Sequence, residues 1–191
     1  MTSAGKHATI GPLTVDDWLA ADPPIDGSRL ELIVGHLHVT PARSGEHQTA
    51  AYRIARMVDD ALAAPGRHGL CVVPAVAVRI STAWRTALIP DVVVLTKKPI
   101  GVSFGADEVA LVVEIWSPAN RRVERETKFA AYAAAEVPFL WTLDLGDEFR
   151  CPVLTAYRWD KGQYIEENVV KPVGTITAAP VPVKLDLADL S

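Results

Sequence analysis

Two stretches of the chain, Val92-Val93-Val94-Leu95 and Ala110-Leu111-Val112-Val113, are apolar without a break. A strand with one wet face alternates apolar and polar residues, so a strand that does not alternate must be covered on both faces. The two stretches therefore predict central strands of a sheet with layers on either side. Each also carries an acid: Asp91 follows Pro90 at the start of the first, and Glu114 lies near the end of the second between apolar neighbours. A carboxylate in such a run is costly to bury unless it is paired, hydrogen-bonded or metal-bound.

The rest of the chain supplies the covering layers. Thr14 caps a short predicted helix bearing Val15, Trp18 and Leu19, which Asp22-Pro23-Pro24 ends. Leu30, Leu32 and Val34, then Leu37 and Val39, alternate about Gly35-His36 and predict a hairpin over residues 29–40 with Glu31 on its polar face. Helical spacing from Glu46 to Ala63 sets Tyr52, Ile54, Met57, Val58 and Leu62 on one stripe, closed by Pro65-Gly66. Three β-rich runs follow at residues 70–80, 88–95 and 109–116, with Pro74 marking the first as an edge or a bulge. Ser117-Pro118 suits the opening of a helix that runs to about Ala135. A strand at 138–144 comes next, then strands at 154–159 and 163–170 joined by Asp160-Lys161-Gly162. This order predicts a single domain over residues 1–191, with its core over about 14–170 and a C-terminal arm over about 171–191 that packs through Leu185 and Leu187.

Composition narrows the functions open to such a domain. The formal net charge of −4 argues against broad adhesion to nucleic acid, which needs clustered Lys and Arg, so any such contact must be local. Cys71 and Cys151 are too far apart for zinc-ligand spacing and read as buried structural thiols. No apolar run approaches about 18 residues and the first residues hold no signal-like apolar region, which predicts a cytoplasmic protein without a membrane span.

The acids point to chemistry. Carboxylates converging from two adjacent strands suit a hard divalent cation, and such a cation promotes phosphodiester hydrolysis at neutral pH. A base or charge stabiliser is then needed, and Lys128 lies on the helix directly after Glu114. Steps of three and four residues set Arg121, Glu124, Lys128 and Tyr132 on one face of that helix. There the ammonium of Lys128 can hold the attacking water and offset charge on the phosphate oxygens. Each residue also has an ordinary alternative: a strand-start aspartate for Asp91, a solvated lysine paired with Glu124 for Lys128, a cross-hairpin partner for Glu31 and a helix-start histidine for His47.

Pro90-Asp91-Val92-Val93-Val94, Leu111-Val112-Val113-Glu114-Ile115-Trp116-Ser117-Pro118, Lys128, Tyr132, Val137-Pro138-Phe139-Leu140-Trp141 and Asp144 occur in that order. The set resembles the Uma-type restriction endonuclease family of the PD-(D/E)XK nuclease superfamily. Leu30-Glu31-Leu32-Ile33-Val34-Gly35 resembles that family's hairpin entry, and His47 falls where its first core helix often carries a histidine. The resemblance spans roughly residues 14–170. It implies a restriction-endonuclease-like mixed central sheet flanked by helices, with an added N-terminal hairpin and a C-terminal hairpin. It also implies Mg²⁺ or Mn²⁺ at Asp91 and Glu114, Lys128 in catalysis, Glu31, His47, Glu124 and Tyr132 as accessory residues, a DNA substrate and a homodimer. The superfamily pattern places lysine two residues after the glutamate, where this chain has Trp116, and the resemblance moves that role to Lys128. The family more often has aspartate where this chain has Glu124.

Two other readings stay open: a nuclease-fold binding or assembly module that does not cleave, and a phosphohydrolase of small nucleotides, which the acidic charge suits. On the metal reading Asp91 and Glu114 repel one another without a cation. Asp91→Asn is then expected to melt at or above the metal-free parent.

Overall fold

The computed structural model describes residues 12–63, 69–117, 120–146, 152–176 and 180–190. The expectations at Pro65-Gly66, Pro118 and Cys151 lie outside the described residues. In chain order the elements are α1 (Val15–Leu19), β1 (Arg29–Ile33), β2 (His36–Thr40), α2 (Gly45–Leu62), β3 (Cys71–Pro74), β4 (Ala77–Ser81), β5 (Thr86–Leu88), β6 (Val92–Leu95), β7 (Ser103–Gly105), β8 (Val109–Trp116), α3 (Arg122–Ala134), β9 (Phe139–Asp144), β10 (Val153–Asp160), β11 (Gln163–Val170), β12 (Val173–Ile176) and β13 (Val183–Asp186).

The two unbroken apolar stretches are neighbours inside a six-stranded sheet of order β11-β10-β9-β8-β6-β3, and every residue of β6 and β8 is buried. In this sheet β8 and β9 run parallel and the other pairs antiparallel. A parallel pair needs a crossover, and α3 is that crossover. One face packs on α2 through Ala50, Ile54 and Val58, and on the C-terminal arm through Val183, Leu185 and Leu187, as the arm's leucines predicted. On the other face Val93, Val112 and Leu140 meet Tyr132 of α3 and Val78, Leu88 and Phe104 of a second sheet. That second sheet has the order β2-β1-β5-β4-β7. The N-terminal hairpin is thus the edge of a five-stranded layer, joined to it through β5.

Two runs that read as single strands are divided between the sheets. After β3, which is an edge strand, the first of the two places expected from Pro74, Ala75 adopts φ 50 and the chain crosses to β4 in the other layer. Ile89, Pro90 and Asp91 carry β5 back across to β6. Pro90 has no amide to give to a ladder, which ends one strand before the next begins. The crossings touch, because the Ala75 amide donates to the Asp91 carbonyl at 3.1 Å.

Local chemistry explains the remaining boundaries. Thr14 and Asp17 cap α1 reciprocally, as the threonine predicted. The β1–β2 turn places Val34 at φ 50 and Gly35 at φ 78, and a Cβ on Gly35 would lie 2.5 Å from Pro12 Cβ, so glycine is required there. The small residues Ala50 and Ala51 take the buried side of α2, while Tyr52 turns out to 64% exposure and leaves the predicted stripe. Ser117 does not begin α3. Its amide donates to Asn120 Oδ1 at 2.9 Å, and the helix opens at Arg122. Cys71 is half-buried where a buried thiol was expected. Among the described residues no helix is long and apolar enough to cross a membrane.

Candidate active site

Strand register builds the site. Val92 pairs with Val113, which brings Asp91, just before β6, close to the end of β8 that carries Glu114; Glu114 meets α3, whereas Asp91 meets Arg29, Arg43 and His47. From α3, Lys128 and Tyr132, one turn apart, descend on Glu114. The Tyr132 hydroxyl donates to Glu114 Oε1 at 2.5 Å, and Lys128 Nζ lies 3.3 and 3.4 Å from the two oxygens of Glu114. The same ammonium donates to Glu31 Oε1 at 2.9 Å. Glu31 stands on the hairpin face predicted to be polar, but that face meets α3 instead of water, and Glu31 is 1% exposed. A second donor, the Ile89 amide at 2.8 Å, helps hold its carboxylate.

Asp91 lies in different company. Its Oδ2 accepts the Ile115 amide at 2.8 Å, and its Oδ1 accepts Arg29 Nη1 at 2.6 Å. His47 Nε2 comes within 2.9 Å of the same Oδ1 but off the line of a good hydrogen bond. Arg43 Nε stands 3.6 Å away and is buried without a hydrogen-bond partner.

These surroundings move the two acids apart. Burial is the largest single influence on Asp91 and raises it, but His47, Arg43 and Arg29 together outweigh burial and hold the carboxyl below its ordinary range. Glu114 is pushed up from 4.5 to about 7, first by burial, then by Asp91 and Glu31, with Lys128 opposing. Burial alone would lower the Lys128 ammonium; Glu114 and Glu31 together raise it, so it stays charged. Burial and then Glu114 raise Tyr132, which remains a neutral donor. The expected repulsion between the acids is therefore borne by Glu114. Asp91 is stabilised by its cations, which reverses the expectation for Asp91→Asn.

A buried carboxylate raised by neighbouring carboxylates favours a proton or a cation, and its oxygens suit a hard divalent ion. Among the described residues no group of three His, Cys, Asp or Glu side chains is placed to hold a metal ion. The carboxylates here that could hold such an ion are those of Asp91 and Glu114.

Two clefts reach this cluster. One, of about 410 Å³, is lined by Arg29, Arg43, His47, Gln48, Tyr52 and Asp91 among others; the second, of about 290 Å³, shares Arg43 and His47 and adds Ser44, Asn120 and Glu124. Glu124 stays out of the buried cluster and accepts Asn120 Nδ2 at 3.0 Å. Asp91, Glu114, Lys128, Glu31, His47 and Tyr132 do come together. Sequence reasoning missed Arg29 and Arg43. Arg29 had a signal: strand periodicity puts it on the face of Glu31, two residues on. Arg43 had none beyond preceding the Ser44 cap of α2.

A family model named Uma2, with the description "Putative restriction endonuclease", matches residues 19–188. No curated protein matches the chain. Among solved structures, a crystal structure described as "a putative nuclease belonging to DUF820" from Anabaena variabilis is similar with a TM-score of 0.69 at 16% identity, over 94% of this chain and 97% of that one. At that identity the likeness speaks for the fold, and it bears out the mixed α/β class read from the sequence.

Proposed function

This chain belongs to the Uma2 family, and from that premise we propose that it is a metal-dependent endonuclease that hydrolyses nucleic-acid phosphodiester bonds, DNA first among them. The observation that carries the reading is the buried group in which Asp91 accepts the amide of Ile115, the residue after Glu114, while Lys128 bridges Glu114 and Glu31. In it, Asp91 and Glu114 would hold Mg²⁺ or Mn²⁺. Such an ion, when bound, would supply a water activated for attack and offset charge on the phosphate. Lys128 is the residue that acts on the reacting oxygens: its fixed ammonium, raised and always charged, stabilises charge as it builds on them. Glu31 and Tyr132 position that ammonium and Glu114. Action in the cytoplasm and as a homodimer, which brings two sites to two strands, belongs to the same proposal.

Plasmid nicking with Mg²⁺ or Mn²⁺ tests it. The parent should nick, and Asp91→Ala and Lys128→Ala should each lose at least about a hundredfold, the scale for removing a group that stabilises the transition state. Equal nicking by all three would overturn the assignment. Faster turnover of short nucleotides than of plasmid would favour the small-nucleotide phosphohydrolase.

A further inference from the structure

Three cationic or imidazole side chains crowd one carboxylate oxygen. Asp91 Oδ1 accepts Arg29 at 2.6 Å and has His47 at 2.9 Å, which leaves Arg43 at 3.6 Å with its buried Nε unpartnered. The His47 side chain is 4% exposed and its Nε2 also lacks an aligned acceptor. A buried charged donor without an acceptor is costly, and the deficit here is of negative charge. Both side chains line the cleft of about 410 Å³, a volume suited to a nucleotide-sized ligand. On the wall of the same cleft Tyr52 presents its ring at 64% exposure, one helical turn beyond Gln48. An anion at Arg43 would answer the deficit, and a flat ring at Tyr52 would have a platform.

We propose that this cleft binds a single strand of nucleic acid, with a phosphate on the Arg43 guanidinium and an unpaired base stacked on Tyr52. The proposal rests on the nuclease reading and adds the path of the strand beside the carboxylates. A single strand fits better than a duplex for two reasons. Stacking on a side chain needs a base whose face is free. The cations of the cleft, Arg29 and Arg43 with His47, are few and recessed in a chain of net charge −4, whereas tracking a duplex takes a broad basic face.

Fluorescence anisotropy of the full chain with a short labelled oligodeoxynucleotide, single-stranded or annealed, tests this without metal and so without turnover. The parent should bind the single strand at least about tenfold more tightly. Tyr52→Ala should weaken single-strand binding by about tenfold, within the range for one base on one ring, while Tyr52→Phe stays within about threefold of the parent. Arg43→Ala should lower the slope of log K against log salt by about 0.7, the value for one single-strand phosphate contact, and Arg43→Lys should keep that slope. Equal affinity for both strands, an unaffected Tyr52→Ala, or an unchanged salt slope in Arg43→Ala each overturns the proposal. Should Arg43→Ala fail to fold, the Tyr52 pair decides, because that ring stands on the surface. Binding as described without plasmid nicking would sink the nuclease reading and leave the cleft; nicking with parent-like binding by the variants would do the reverse.

Discussion

Asp91 and Glu114 lie close together on neighbouring segments and are equally buried, at 1% and 0% exposure, yet their surroundings drive them in opposite directions. At the Asp91 end two arginines, a histidine and a backbone amide surround one carboxylate. Glu114 shares a single lysine with Glu31 and feels Asp91 besides, and the tyrosine brings no charge. Burial raises both, so what separates them is the number and sign of their neighbours. The site is polarised: its surplus of positive charge opens on the clefts, and its surplus of negative charge lies beneath α3.

The contrast breaks most completely if the shared ammonium goes. Lys128→Met leaves Glu31 and Glu114 without a counter-charge, and removing one partner of a buried ion pair costs about 3–5 kcal/mol. For a chain of this length that is roughly ten degrees in melting temperature, read by calorimetry at neutral pH. A shift under about two degrees would mean that the acids simply take up a proton.

Next in size come paired substitutions of opposite sign. Folded, metal-free Glu114 holds a proton between pH 4.5 and about 7 that the unfolded chain has released. Its contribution to stability is whole below pH 4.5 and lost as pH rises through about 7. Asp91, lowered from 3.8, contributes above that pH and loses its contribution as pH falls below it. At pH 8 without metal, Glu114→Gln should melt at or above the parent, and Asp91→Asn below it by an order of a few kcal/mol. Between pH 5 and 8 the parent should lose stability while Glu114→Gln stays flat. Melting curves across that range check both, and Asp91→Asn above the parent would restore the simple picture of two repelling acids.

The smallest effect sharpens the comparison from the ligand side. Mg²⁺ or Mn²⁺ at ten times its Kd should stabilise the parent by about 1.4 kcal/mol, a few degrees in melting temperature. Glu114→Gln should lose most of that rise. A rise that persists in full would place the ion elsewhere.

The sequence marked Asp91 and Glu114, because an acid inside an apolar run is visible without any fold, while Glu31 and His47 were named through the family resemblance. It also placed Lys128 and Tyr132 correctly, since helical spacing is local. Arg29 and Arg43 escaped because their value lies in meeting Asp91, which is 62 positions from Arg29. No local pattern encodes that meeting. The burial of Glu31 was hidden for the same reason, since a face that reads as wet is wet only if nothing packs on it. The divided runs show a further limit: residues 70–80 keep the same β-rich composition across Ala75, and only the backbone turn at φ 50 sends the halves to different sheets.

Those two crossings give the molecule an unusual seam. Glu31 hangs from the five-stranded layer, Glu114 from the six-stranded one, and Lys128 reaches both from α3. The ammonium is therefore a rivet through three parts of the structure. Sliding one sheet past the other would stretch its two bonds unequally and separate Glu31 from Glu114 while Asp91, at the crossing itself, stayed near the pivot. Alignment of the layers and assembly of the buried charged cluster are a single mechanical condition, so a substitution that loosens the seam far from any carboxylate would reach the cluster through this one side chain.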